Sequence, residues 1–187
     1  MDYKTAIEIF NTLDDDDKAK EIYAHFGLAV FYAQVLEQQA IIMIAICQQT
    51  NNKLTTQEQL DSLWNDYDLG SRTFGILINE VKQLYNLSDE DYKDLKNVLK
   101  LRNYITHNYS RFNTELFYSV SGQKRIIKDF VDFQDRAKSL DKKLKQYAMV
   151  YNDKIGLTNE LIDAIVEKTK KEWENKIITE DYKTIKK

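Results

Sequence analysis

"HFGLAVFYAQVLEQQAIIMIAIC", residues 25–47, decides the fold. Phe26, Ala29, Val30, Ala33, Leu36, Ala40, Ile41, Ile44 and Ala45 recur at helical spacing and form one apolar stripe. Leu28, Phe31, Val35, Ile42 and Ile46 form a second. A surface helix needs one such stripe. Two stripes predict a helix buried within its domain, or one packed on its own domain and on a second subunit. Tyr32, Gln34, Glu37, Gln38 and Gln39 interrupt the apolar surface. The helix is expected from about Lys18 to Gln49, after "LDDDD", with Asp16 or Asp17 as N-cap. Four aspartates could in principle gather a cation. Consecutive acids point to different sides of a helix, so a capped, solvated helix start is the stronger reading.

The rest of the chain agrees with long helices. It has no proline in 187 residues, where average usage would give about nine. It has five glycines. The usual breakers of helices are thus scarce. Hydrophobic residues at 43% and charged residues at 30% fit a globular domain and exclude wholesale disorder. The expectation is a single all-α domain over residues 1–187, a bundle of about five to seven helices with long antiparallel members.

Further elements follow from caps and periodicity. A short helix is predicted over about Thr56–Tyr67 and another over Arg72–Tyr85. "LSDED" starts a third, with Ser88 as N-cap and Asp91 in a capping-box position, expected to reach about Phe117. "SVSGQK" reads as a turn centred on Gly122. A helix-loop-helix is preferred there over a hairpin between "ELFYSV" and "KRII". A long helix over about Lys124–Asn152 opens a C-terminal helical extension, about 124–187. "KIGLTNE" ends that helix, and Thr158 caps a last one to about Trp173.

Several function classes lose support. Lone Cys47 cannot form an internal disulfide and reads as a small core residue in a reducing compartment. His25 has no second His or Cys at ligand spacing, so it reads as structural, and neither metal nor cofactor is expected. "MDYKTAIEIF" lacks the features of a signal peptide. The apolar run Ala40–Cys47 is too short to span a bilayer. A cytoplasmic protein is expected. No glycine-rich loop is present to cradle a triphosphate.

Charge is unevenly spread. Net charge is −3, yet residues 93–128 hold eight basic residues against two acids. A basic patch on an acidic body is one way to meet a polyphosphate. Near its middle lies "RNYITHNYSR", residues 102–111. Arginine offers a fork of donors that fits phosphate oxygens. Histidine titrates near neutrality, so it can take a proton from a ribose 2′-hydroxyl or give one to a leaving oxygen. Five residues advance a helix by about 500°, which sets Arg102 and His107 about 140° apart. One chain would not readily aim both at one phosphate, so a composite dimeric site is expected. Asn103, four residues before His107, shares its face and could hold the imidazole in one tautomer. Lys100, Arg111, Lys124 and Arg125 are the candidate substrate-binding cations.

"LRNYITHNY" resembles the signature of the HEPN superfamily, all-α domains with an R-x4-6-H motif. The form R-x4-H-x-Y is similar to that of HEPN toxins paired with nucleotidyltransferase antitoxins. The stretch "FGLAVFYAQVLEQQ" resembles a separate bacterial HEPN-like group. The resemblance implies a helical bundle that dimerises. It implies metal-independent RNA cleavage by Arg102 and His107 from both subunits, in a toxin or phage-defence component. Asn103 would support, and Tyr109 would be a hydroxyl modified by an antitoxin. The rival is a non-catalytic HEPN-like domain that binds protein or nucleic acid, told apart by whether His107 is exposed in a cleft or packed away.

Overall fold

The computed structural model describes residues 2–51, 56, 58–59, 62, 73–158 and, between 160 and 171, all but 162, 165 and 169. Among them the fold is all-α, with seven helical elements and no strand. These are α1 (Tyr3–Thr12), α2 (Asp15–Thr50), α3 (Phe74–Tyr85), α4 (Asp89–His107), α5 (Tyr109–Phe112), a 3-10 turn η1 (Thr114–Tyr118) and α6 (Val120–Lys154). Residues 1–148 form one compact unit and 149–187 a second. Of the helix expected at 56–67 only residues 56, 58, 59 and 62 are described, and the end of the last expected helix lies outside the described residues.

Side-chain caps set several of the helix starts. The Asp2 carboxylate accepts from Thr5 N at 2.9 Å and starts α1, which buries Ala6 and Phe10. This helix precedes the first one expected from the sequence. Its signal is an N-cap followed by apolar residues four apart. At α2 the cap is Asp14, whose Oδ1 accepts from Asp17 N at 2.9 Å, so the helix starts earlier than the expected Asp16 or Asp17 cap. The neighbouring acids pair with Lys18 and Lys20. Ser88 Oγ accepts from Asp91 N at 3.1 Å and begins α4, as expected. The Asp91 carboxylate takes Lys143 Nζ at 2.7 Å and Tyr147 Oη at 2.8 Å from α6. These donors, led by Lys143 and then Ser88, hold its pKa down to about 2.

The core face of α2 carries Ile22, Ala29, Ala33, Leu36, Ala40, Met43, Ile44 and Cys47. By length and hydropathy α2 also matches a membrane-crossing helix, but this face is buried in the bundle. It packs against α3 and α4, with Tyr85 Oη donating to the Met43 carbonyl at 2.7 Å. Of the second stripe, Leu28, Phe31 and Ile42 are exposed, Phe31 at 55%, and Val35 and Ile46 are half-buried. From α6, Ile126, Ile127, Phe130, Val131, Leu140 and Leu144 enter the same core. Residues 124–148 of the expected extension are therefore part of the main body.

Two expectations about the middle of the chain are corrected. α4 stops at His107 instead of continuing to about Phe117. Asn108 leaves helical geometry with φ −129° and ψ −19°, and its carbonyl accepts from Phe112 N to begin α5. Asn113 ends α5, its amide donating to the Tyr109 carbonyl at 2.8 Å. Asparagine side chains compete with the ladder in this way and favour helix ends. The second correction concerns Gly122. The chain turns at Ser119, which is extended and whose Oγ accepts from Gly122 N at 3.1 Å. Gly122 lies within the first turn of α6. It is a packing glycine, since an added Cβ would stand 2.2 Å from the Leu116 carbonyl oxygen.

His25 is 2% exposed on the core side of α2. Glu21 Oε1 lies 3.2 Å from Nε2, but neither ring nitrogen has a well-aligned hydrogen bond. Burial pulls the imidazole pKa below its ordinary value, and Glu21 opposes this only in part. The folded chain thus resists a proton that the unfolded chain accepts below about 6.5. Stability is present above that value and falls as pH drops through it. We expect the melting temperature to fall between about pH 7.5 and about pH 5, and the fall to shrink in His25→Leu. Identical pH profiles for the two proteins would assign the loss to other groups.

Candidate functional site

Arg102 and His107 line one cavity of about 140 Å³ at the surface of the bundle. Thr106 lies between them on α4, and Val30, Ala33 and Gln34 of α2 form the facing wall. Both residues thus border one cavity of a single chain, although a regular helix sets them about 140° apart. His107 is the last residue of α4, and the long arginine leans toward α2.

Glu37 holds that arginine. Its Oε2 lies 3.1 Å from Arg102 Nη2, with both side chains about a quarter exposed. Arg102 Nη1 donates to Asn103 Oδ1 at 3.0 Å. Asn103 thus engages the guanidinium, where the sequence reading placed it against His107. Thr106 Oγ1 donates to the Arg102 carbonyl at 2.8 Å. His107 is exposed. Glu37 went unrecognised in the sequence. Its signal was a single acid within the otherwise uncharged stretch from Phe26 to Gln49.

The other candidates fall elsewhere. Tyr109 is 2% exposed, because the break at Asn108 turns it into the core. Its hydroxyl donates to Asp129 Oδ2 at 2.9 Å, and its ring packs 4.7 Å from Phe130. Burial first, and then Asp129, push the phenol well above its ordinary pKa, so it stays protonated. Lys100 and Arg111 are exposed, Arg111 lying over the Phe112 ring. Lys124 is half-buried at the start of α6. Arg125 pairs with Asp129 at 3.0 Å and lines a different cavity, beside Tyr104 and Tyr109. None of these four cations lines the Arg102–His107 cavity.

The basic excess is also thinner than the sequence suggests. Arg102, Arg125 and Lys128 are paired with Glu37, Asp129 and Asp132. All three acids lie outside residues 93–128. Among the described residues no group of three His, Cys, Asp or Glu is placed to hold a metal ion.

A volume of about 140 Å³ lies below the range typical of small-molecule sites. Compared with known proteins, the chain matches no family model, no curated protein and no solved structure.

Proposed function

We propose that the chain is a HEPN-like endoribonuclease that cuts RNA without metal, with Arg102 and His107 at the reacting phosphate. The observation that carries this reading is their meeting in one solvent-facing cavity, with His107 exposed. His107 takes the proton from the 2′-hydroxyl as that oxygen attacks phosphorus. The P–O5′ bond breaks, the leaving 5′-oxygen takes a proton from solvent water, and the imidazolium returns its proton to solvent. Arg102 stabilises the charge on the phosphoryl oxygens, and Glu37 and Asn103 hold its fork in place. The testing experiment incubates the purified chain and its His107→Ala variant with a mixed RNA pool. Cleavage by the wild type alone supports the proposal, and equal cleavage by both contradicts it.

The reading includes a homodimer. Leu28, Phe31 and Ile42 leave an apolar stripe exposed on α2. Phe31 and cavity-lining Gln34 are three residues apart, about 60° round the helix. A second copy seated on the stripe would border the cavity and could widen it into a shared groove. Sedimentation at micromolar concentration is expected to give a dimer for the wild type and a monomer for Phe31→Glu. A wild-type monomer would remove the composite groove from the account.

A second reading, a non-catalytic domain that grips phosphates or a partner protein, is favoured by the ties on Arg102. An arginine committed to Glu37 and Asn103 can be purely structural. A toxin or phage-defence role, with an antitoxin as partner, rests on the sequence resemblance. Tyr109's buried hydroxyl lends no support to modification there.

A further inference from the structure

A larger cavity, about 440 Å³, lies on another side of α4 and has no part in the proposed cleavage. Leu101, Tyr104 and Ile105 face it from α4, whereas Arg102, Thr106 and His107 face the first. α6 supplies Arg125, Asp129, Asp132, Phe133 and Arg136. Its volume lies in the range of small-molecule sites.

The lining specifies a ligand chemistry. Leu101 is partly exposed on the cavity wall, and Ile105 and Phe133 back it from the core. Tyr104 is partly exposed, and Tyr109 meets it edge-on with centroids 5.7 Å apart. Its hydroxyl is fixed by Asn113 Nδ2 at 2.7 Å. That geometry leaves a tyrosine face for a stacked ring. Asp132 also faces the cavity; its Oδ2 takes Lys128 Nζ at 2.7 Å, and its other oxygen is left as an acceptor for amino or hydroxyl donors. Arg125 spends its Nε on Asp129, and no ion pair among the described residues takes its terminal nitrogens or Arg136. Arg125 and Arg136 are eleven residues apart, so they share a face of α6 about 16 Å apart. Arg136 also borders a second hollow of about 210 Å³ with Asp94, Asn97 and Lys143. An anionic group on Arg136 would therefore have room around it.

A ring to stack, donors to satisfy a carboxylate and one anionic group together describe a nucleotide. We propose that this groove between α4 and α6 binds a nucleoside monophosphate, with the base on Tyr104 and the phosphate on Arg136. Asp129 balances Arg125 and Lys128 balances Asp132, so Arg136 is the arginine of the lining that no ion pair among the described residues neutralises. A triphosphate would add charge that the lining does not neutralise, so the monophosphate is preferred. The site does not depend on RNA cleavage at Arg102 and His107.

The test is calorimetric titration of the full chain with AMP, GMP, CMP and UMP, with adenosine, inorganic phosphate and ATP alongside. At least one monophosphate should bind saturably, and tighter than adenosine, phosphate or ATP. Arg136→Ala should weaken it about tenfold or more. Tyr104→Ala should weaken it about tenfold, and Tyr104→Phe, which keeps the ring, should bind nearly as wild type. His107→Ala should bind as wild type, which separates this site from the cleavage reading. Melting temperatures check folding, and if Tyr104→Ala fails to fold, Arg136→Ala at the exposed surface carries the test. The proposal is overturned if no monophosphate saturates, if Arg136→Ala binds unchanged, if ATP binds tighter, or if His107→Ala abolishes binding.

Discussion

His107→Ala is expected to slow RNA cleavage by about two to four orders of magnitude while the melting temperature stays close to wild type. The side chain is exposed at the end of α4, so its removal leaves no core cavity. The loss falls on proton transfer. Arg102→Ala should lose about two to three orders of magnitude, because nothing else in that cavity carries a fixed positive charge. It should also cost about 1 kcal/mol of stability, since it strands the half-buried Glu37 carboxylate. Arg102→Lys separates the two readings. A lysine can keep an ion pair with Glu37 but cannot offer a planar fork. If Arg102 is only structural, Arg102→Lys restores both stability and function. If it clamps the phosphate, stability returns and activity does not.

The second large effect is on folding. Gly122→Ala should destabilise the protein by about 1–3 kcal/mol. Helix propensity argues the other way, favouring alanine over glycine by about 1 kcal/mol within a helix. Packing decides the sign. A Cβ at this position would lie 2.2 Å from the Leu116 carbonyl oxygen and 2.7 Å from Leu116 Cα. Both atoms are backbone, so no rotamer change relieves the clash. The melting temperature should fall by roughly 3–10 °C. An unchanged or raised value would show that η1 can move off α6, and that propensity outweighs the contact. Gly27, inside α2, has open space around its Cβ position, so Gly27→Ala is the control and should not destabilise.

The two glycines also show what the sequence could and could not disclose. Local signals were legible. Ser88 capped α4 as its spacing implied, and the two stripes of α2 separated into a core face and a surface face. These depend on residues within a few positions of one another. The close approach of Gly122 to Leu116 depends on how η1 returns across α6, and periodicity carries no trace of it. Gly122 was therefore read as a turn, while the turn itself is made by Ser119. The break at Asn108 was hidden for a related reason. Asparagine is tolerated within helices, and its preference for an end emerges only because α5 redirects Tyr109 onto Phe130.

The site was legible in part. The spacing of Arg102 and His107 picks out both residues, but their angle in a regular helix does not foretell a shared cavity. It neglected the reach of an arginine drawn to Glu37, a residue 65 positions away in sequence. Lys100, Arg111, Lys124 and Arg125 are neighbours in charge along the chain, and space divides them from the Arg102–His107 cavity. Arg125 lies with Asp129 beside Tyr109, in the cavity that Arg102 does not line. The acids that temper the basic stretch begin one residue after Lys128, at Asp129, and recur on α6 at Asp132.

The most direct measurement is the chemistry of the RNA ends that the wild-type chain produces in the presence of EDTA. Attack by the 2′-hydroxyl under His107 and Arg102 predicts a 2′,3′-cyclic phosphate on one fragment and a 5′-hydroxyl on the other. Fragments ending in 3′-hydroxyl and 5′-phosphate, or an RNA pool left intact, would contradict the account.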